Sequence, residues 1–302
     1  MRYPAGKKIA VALLTVAAVV VGLRGNPVPE ENRTPRAAEL RQAPRVYVPD
    51  YTALKQAMQN YIARYPGITY GIYFKDLASG SSFGINHYGV FPAASSIKAP
   101  LALYVSELVD RGKLDWQDKV TYTADLDWQG GAGCLQFFAQ DGNKYSLRVL
   151  TNLAITISDN IATRMLLRHV GKNNFINYLW SLGAGTVYPG GENKSTPRDM
   201  GRYVEAIINY AKTHPSGRQL LDDMANPIWH VGLPGRLPDR VTVAHKEGDL
   251  TGVATDIGVV YGSRPYILAV MSTGVPNEDV GFNNIAALSK LAYDYQERIG
   301  WR

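Results

Sequence analysis

Strand-forming segments stand at both ends of this chain and helix-forming ones fill its middle, an order that few folds accommodate. Near the start, Leu54, Met58, Tyr61 and Ile62 share one face of a helix expected from Thr52 to Tyr65. Residues 67–74 then read as a strand, 76–81 as a turn and 82–86 as the return strand of a hairpin. Near the end, 241–245, 255–261 and 266–272 read as three strands, the last two joined by the turn 262–265, and 283–298 as a closing helix. Between the two groups, Leu147, Leu150, Leu153, Ala154 and Ile157 give 145–157 a helical period, and 161–170 continues it after a break. The terminal segments must therefore build a common five-stranded antiparallel sheet, with the middle forming an all-helical lobe, an α+β arrangement. A cleft between the two is the expected place for a site.

The folded part is shorter than the 302-residue chain. Residues 9–23 carry no charge and follow Arg2, Lys7 and Lys8. Such a run of fifteen suits a signal peptide, for it falls short of the roughly 20 residues of a spanning helix. The flanking Leu23-Arg24-Gly25 offers no convincing small-x-small cleavage site, so an uncleaved anchor stands beside that reading. Either one exports the remainder, and 1–24 is set aside as a leader. Prolines 27, 29, 35 and 44 among polar residues mark 25–47 as a linker, which leaves 48–302 as the folded domain. The net charge of +6 includes four bases and no acids from residues 1–24, leaving 28 bases against 26 acids beyond them. That balance gives no reason to expect a nucleic-acid partner. Cys134 stands alone, so no internal disulfide is expected, and the five histidines show no metal-binding spacing.

Three short motifs carry chemistry. Ser95-Ser96-Ile97-Lys98 opens an expected helix, where residues three apart share a face, so Lys98 can lie beside Ser95. A serine hydroxyl becomes a nucleophile when a base takes its proton, and a lysine of lowered pKa can serve. Read in isolation, the same residues are a surface helix start with Ser95 or Ser96 as its cap. Ser158-Asp159-Asn160 breaks the helical middle: Ser158 can pass a proton, Asn160 can hold a peptide-like substrate, and Asp159 can brace the turn, although all three also suit ordinary helix capping. His245-Lys246-Glu247-Gly248-Asp249 stands at the expected end of a strand, where Lys246 can lower the pKa of Lys98 and Gly248 lets a substrate backbone approach.

In this order and these contexts, S-x-x-K, S-D-N and K-x-G resemble the motifs of class A β-lactamases and penicillin-binding proteins. The resemblance covers 48–302 and extends to Thr196-Pro197-Arg198-Asp199-Met200, similar to the segment that opens the helix after that family's omega loop. It implies that Ser95 becomes acylated by a β-lactam or a cell-wall amide, and that Lys98 is the base. It further implies that Ser158 and Lys246 relay a proton to the leaving nitrogen. Asn160, Gly248 and Asp249 then position the substrate, with the backbone N–H groups of Ser95 and Asp249 forming the oxyanion hole. No cofactor is implied, the membrane is met through the N-terminal segment alone, and a monomer is expected.

Two departures stand out. The family's E-x-x-x-N element supplies a glutamate for deacylation, whereas the short interval here holds Glu192 as the candidate, an exposed loop residue on the alternative reading. Glu247 replaces the usual hydroxyl residue of the third motif, and Asp256 stands near where many class A enzymes place an arginine for the substrate carboxylate. Acylation is thus better supported than turnover, and a D-alanyl peptidase, another cell-wall hydrolase or a once-acylated sensor are the alternatives.

Overall fold

The computed structural model describes residues 47–300; the leader and all but the last residue of the linker lie outside them. The chain enters through helix α1 (Thr52–Ile62), then the hairpin β1 (Thr69–Asp76) and β2 (Ser82–Ile85). The short β3 (Phe91–Pro92) leads to a 3-10 turn, Ala94–Ile97, that runs directly into α2 (Lys98–Asp110). The lobe continues through β4 (Lys119–Thr121), the single turns α3 (Ala124–Asp127) and α4 (Leu135–Phe138), β5 (Lys144–Ser146), α5 (Leu147–Thr156), α6 (Asn160–Val170) and α7 (Lys172–Ser181). After β6 (Lys194–Ser195), α8 (Pro197–Ala211) and α9 (Pro215–Ala225) return the chain to β7 (Thr242–Leu250), β8 (Val253–Tyr261), β9 (Tyr266–Thr273) and α10 (Glu278–Ile299).

The five-stranded sheet has the order β2-β1-β9-β8-β7 and is antiparallel throughout. Its two chain ends meet where β1 pairs with β9, from Thr69 opposite Thr273 to Asp76 opposite Tyr266. Alternate residues of β9 face opposite sides. Tyr266, Leu268 and Val270 pack with Leu54 and Met58 of α1 and with Ile285 and Leu288 of α10. Ile267, Ala269 and Met271 pack with the helical lobe, including Met200, Tyr203 and Val204 of α8. Both faces are covered, which explains why these strands read as nearly continuous apolar runs rather than as apolar–polar alternation. Arg264, 1% exposed in the β8–β9 turn, grips Asp76 at 2.7 and 3.1 Å and also donates to the carbonyls of Tyr47 and Gly300.

The centre of the lobe is α2, apolar nearly all round and buried from Lys98 to Leu103, as a core helix must be. Pro100 falls in its first turn, where no intrahelical N–H is lost. Several expected boundaries move. The helix expected from Tyr145 starts at Leu147, because Lys144–Ser146 pairs with β4 and the Ser146 hydroxyl caps the helix on the Val149 amide. Strand β7 runs to Leu250 rather than His245, since Glu247, Gly248 and Asp249 pair with Asp256, Thr255 and Ala254 of β8. The third motif therefore lies inside a strand. The closing helix begins at Glu278, capped by Asn277 on the Val280 amide at 2.9 Å.

Candidate active site

The 3-10 turn sets the first motif. Residues three apart are eclipsed in such a turn, so Ser95 and Lys98 stack on one side at the mouth of α2. Ala94 before them takes a left-handed φ of 48°, a conformation that costs a non-glycine residue roughly a kcal/mol or more and that recurs at functional turns. The turn is held from three sides. The Asn193 side chain donates to the Ala94 carbonyl at 2.9 Å, and the hydroxyls of Ser96 and Thr255 donate to the Ala93 carbonyl at 2.5 and 3.3 Å. The single Thr255 hydroxyl hydrogen is shared with the Gly248 carbonyl at 3.2 Å, latching the turn to β7.

Lys98 is 4% exposed, and its three ammonium hydrogens meet three acceptors: the Ser158 carbonyl at 2.6 Å, the Ser158 hydroxyl at 3.1 Å and the Asn160 side-chain oxygen at 2.8 Å. Burial pushes its pKa down from the usual 10.5, and the Lys246 cation adds to the push. Glu247, Asp159 and Asp249 oppose both, and the result is about 7. A lysine so placed exchanges its proton near neutral pH and can act as a base.

The second motif is a left-handed Ser158 (φ 55°) followed by the cap of α6. Asp159 caps that helix on the Ala162 amide at 2.9 Å and, through its other oxygen, accepts from the Cys134 and Leu135 amides at 2.8 and 2.9 Å. It thereby ties the loop before α4 to the motif. The Asn160 amide group donates to the Gly130 carbonyl at 2.9 Å. This loop contains Gly131 and Gly133 at φ of 101° and 103°, and a side chain on Gly133 would sit 2.4 Å from Asp159. Cys134 is a free thiol, partly buried, its pKa pushed up by burial and by Asp159.

Strand β7 closes the cleft over the nucleophile. A Cβ on Gly248 would lie 2.6 Å from the Ser95 nitrogen and 2.9 Å from that of Ser96, so only glycine lets the strand come this close. Lys246 is fully buried, its ammonium 2.5 Å from the Glu247 carboxylate, and no hydrogen bond joins it to Ser158 among the described residues. Burial pushes the Glu247 carboxyl up, but Lys246 and His245 outweigh it and hold the group below the usual range. One carboxylate oxygen of Glu247 stays buried without a partner. Asp256 does not face the cleft. It is fully buried with both oxygens 3.0 Å from His245 Nδ1, accepts from the Leu233 amide at 2.7 Å, and has its carboxyl pushed up by burial.

Ser95, Lys98, Asn160, Asn193 and Asp249 share one cleft of about 990 Å3. Glu192 is not on its wall: its side chain is 61% exposed and pairs with Lys194. Sequence reasoning missed the Asn193 brace, the Thr255 latch and the 130–133 loop. The glycine-rich run 130–133 was a visible signal for the last of these. The TPRDM segment opens a helix as expected, with Thr196 capping α8 on the Asp199 amide at 3.1 Å and Asp199 accepting from the Gly185 and Thr186 amides.

A two-lobed α+β fold with a serine and a buried lysine one turn apart, roofed by a glycine-bearing strand, defines the active-site serine acyl-transferring class. The family model described as the beta-lactamase enzyme family matches residues 53–296, and the chain belongs to that family. Beta-lactamase SME-1 of Serratia marcescens is 26% identical over 247 residues, covering 74% of this chain and 82% of that protein. Beta-lactamase BRO-1 of Moraxella catarrhalis is 34% identical over 212 residues, 64% of this chain and 66% of its own length. Among solved structures, PBP-A superposes with a TM-score of 0.75 at 32% identity, covering 82% of this chain and 97% of that one. A variant of PBP-A captured as its acyl-enzyme with penicillin G superposes at 0.76 and 31% identity, covering 83% of this chain and all of that one.

Proposed function

We propose that this protein is a serine acyl-hydrolase acting on β-lactams or related amides through a Ser95 acyl-enzyme. The observation that carries the reading is Lys98: buried, hydrogen-bonded to both ends of the second motif, and with a pKa of about 7 one turn from Ser95. In the proposed reaction the Ser95 hydroxyl adds to the carbonyl carbon and its proton passes to the neutral Lys98 amine. The oxyanion is taken by the backbone N–H groups of Ser95 and Asp249, a contribution of a few kcal/mol where one such donor has been removed. As the C–N bond breaks, the proton moves from Lys98 through the Ser158 hydroxyl, with which it shares a 3.1 Å hydrogen bond, to the leaving nitrogen. Lys246 acts through its charge on Lys98 rather than as a link in that chain. Asn160, Gly248 and Asp249 hold the substrate, and residues 1–24 serve to export the domain, leaving it secreted or membrane-anchored.

A second reading, that of a penicillin-binding protein or cell-wall peptidase with a long-lived acyl-enzyme, draws on the outward-turned Glu192. One experiment separates the two. Native protein and Ser95→Ala are mixed with penicillin and followed by intact-mass spectrometry. A transient adduct with turnover supports the hydrolase, a persistent stoichiometric adduct supports the second reading, and no Ser95-dependent adduct refutes both.

A further inference from the structure

The cleft does not stop at the reacting serine. Its far wall is built by α6 and the start of α7, which place Arg164, Arg168 and Lys172 along the same cavity as Ser95 and Lys98. Arg164 and Arg168 stand one turn apart on α6, and Lys172 opens α7 after the break at Gly171. At about 1.5 Å of rise per residue, Arg164 and Arg168 lie roughly 6 and 12 Å along the axis from Asn160, the residue that holds Lys98. Tyr188 and Asn193, from the short segment that precedes α8, also line it.

The three cations are not equally engaged. Arg168 is held by Asp127 at 2.7 and 2.8 Å, so its charge is matched. Arg164 spends two donors on the Leu126 carbonyl, at 2.8 and 3.1 Å, and Lys172 reaches the Gly191 carbonyl at 3.2 Å while lying 5.1 Å from the Tyr188 ring centre. Neither forms an ion pair with a carboxylate among the described residues. Both are oriented by carbonyls yet keep their charge open to the cleft. At the other end, the cation beside Ser95 is already spent, because Lys246 is buried on Glu247. Positive charge without a carboxylate partner in the cleft therefore stands on α6 and α7 rather than on β7.

We infer that Arg164 and Lys172 form a subsite for a carboxylate carried by an extended peptide substrate, about two to four residues from the bond that Ser95 attacks. An extended chain rises about 3.3 Å per residue, so two residues span the roughly 6 Å from Asn160 to Arg164 along α6, and Lys172 opens the next helix beyond it. A peptide is favoured because the reacting end of the cleft offers a strand edge and amide-binding groups. A cavity of about 990 Å3 is also near the upper end of ordinary small-molecule sites. The inference rests on the reading of Ser95 as the acylated residue only for its direction along the cleft.

The test uses the full chain carrying Ser95→Ala, so that binding is measured without reaction. Calorimetric titration compares a peptide ending in D-alanyl-D-alanine that bears a glutamate about three residues before the scissile bond with its glutamine counterpart. The glutamate peptide is expected to bind about tenfold more tightly, and the preference is expected to fall below about twofold when Arg164→Gln and Lys172→Gln are added. The charge-conserving pair Arg164→Lys and Lys172→Arg should retain most of it. Raising salt from about 0.05 to 0.5 M should erode the preference in the parent, which keeps the test decisive if the glutamine variant folds poorly. Equal binding of both peptides, no binding of either, or a preference that survives the loss of both cations overturns the subsite. Ser95-dependent penicillin labelling of the native chain decides the hydrolase reading separately, so each can fail alone.

Discussion

Gly248→Ala isolates the contact between strand β7 and the nucleophile turn. The added Cβ would stand 2.6 Å from the Ser95 nitrogen, against the 3.4 Å at which ordinary van der Waals contact begins, a shortfall of 0.8 Å. It would also meet the Ser96 nitrogen at 2.9 Å and the Ala94 Cβ at 3.0 Å, so a rotation that relieves one contact worsens another. None of the three is the free end of a flexible side chain, and the turn is anchored by Asn193 and Thr255. The strand must therefore move off the turn by most of an ångström. Overpacking of this kind costs about 1–3 kcal/mol of stability, whereas misplacing reacting groups by about 1 Å costs on the order of 100-fold in rate. The expected outcome is a folded protein with a melting temperature lowered by several degrees and Ser95 acylation slowed about 100-fold or more. Stopped-flow acylation by a chromogenic cephalosporin, beside thermal unfolding of the same preparation, measures both. Acylation within about threefold of native in a folded Gly248→Ala protein would refute the claim that this approach shapes the site.

Three further outcomes follow from the same coordinates. The acylation rate should rise with pH through about 7, because the neutral Lys98 amine is the active form, and Lys246→Gln should move the midpoint upward by removing a cation that pushes Lys98 down; a pH–rate profile checks both. Asp76→Asn should cost about 3–5 kcal/mol in denaturant unfolding by leaving the buried Arg264 unpaired. Burial pushes the Asp76 carboxyl up, but Arg264, Ser79 and the amides of Ala78 and Ser79 hold it below the usual 3.8, so this stability is present above the unfolded pKa and lost as acid protonates the folded group. Glu192→Gln should leave the rate of acyl release unchanged within about twofold, as followed by intact mass, since the side chain faces solvent beside Lys194.

The fold was legible because its sheet is buried on both faces, so β8 and β9 read as apolar runs wherever the register falls. The ends of elements were not, and the reason is local chemistry that outweighs period. Ser146 stops one strand and starts one helix within a single residue, and polar Lys246 to Asp249 belong to a strand because β8 pairs them. The motif residues Ser95, Lys98, Ser158, Asn160, Gly248 and Asp249 converge on one place. Glu192 and Asp256 do not, and neither fate could be read from spacing. An omega-type loop is irregular, so nothing in its sequence fixes which of Glu192 and Asn193 turns inward. Asp256 points away because it stands directly opposite Glu247 across the β7–β8 pair, on the side where His245 lies two residues along.

The acid in the third motif bears differently on the two tasks of such a cleft. The depressed pKa of Lys98 owes most to burial and less to Lys246, with Glu247 opposing. Glu247 can therefore sit on Lys246 without disabling the base, because desolvation, the largest influence, together with the Lys246 cation keeps Lys98 near neutrality. The same carboxylate has a large effect on Lys246: at 2.5 Å it turns a buried cation into a nearly neutral pair and keeps one unpartnered oxygen of its own, also buried. An acceptor buried in that state is costly unless a donor reaches it, by about 1–3 kcal/mol. Activation of the serine and selection of the substrate are thus governed by different groups. Under the proposed reaction the buried lysine sets how fast Ser95 reacts, while Arg164 with Lys172 sets which charge a substrate can bring and where along its length.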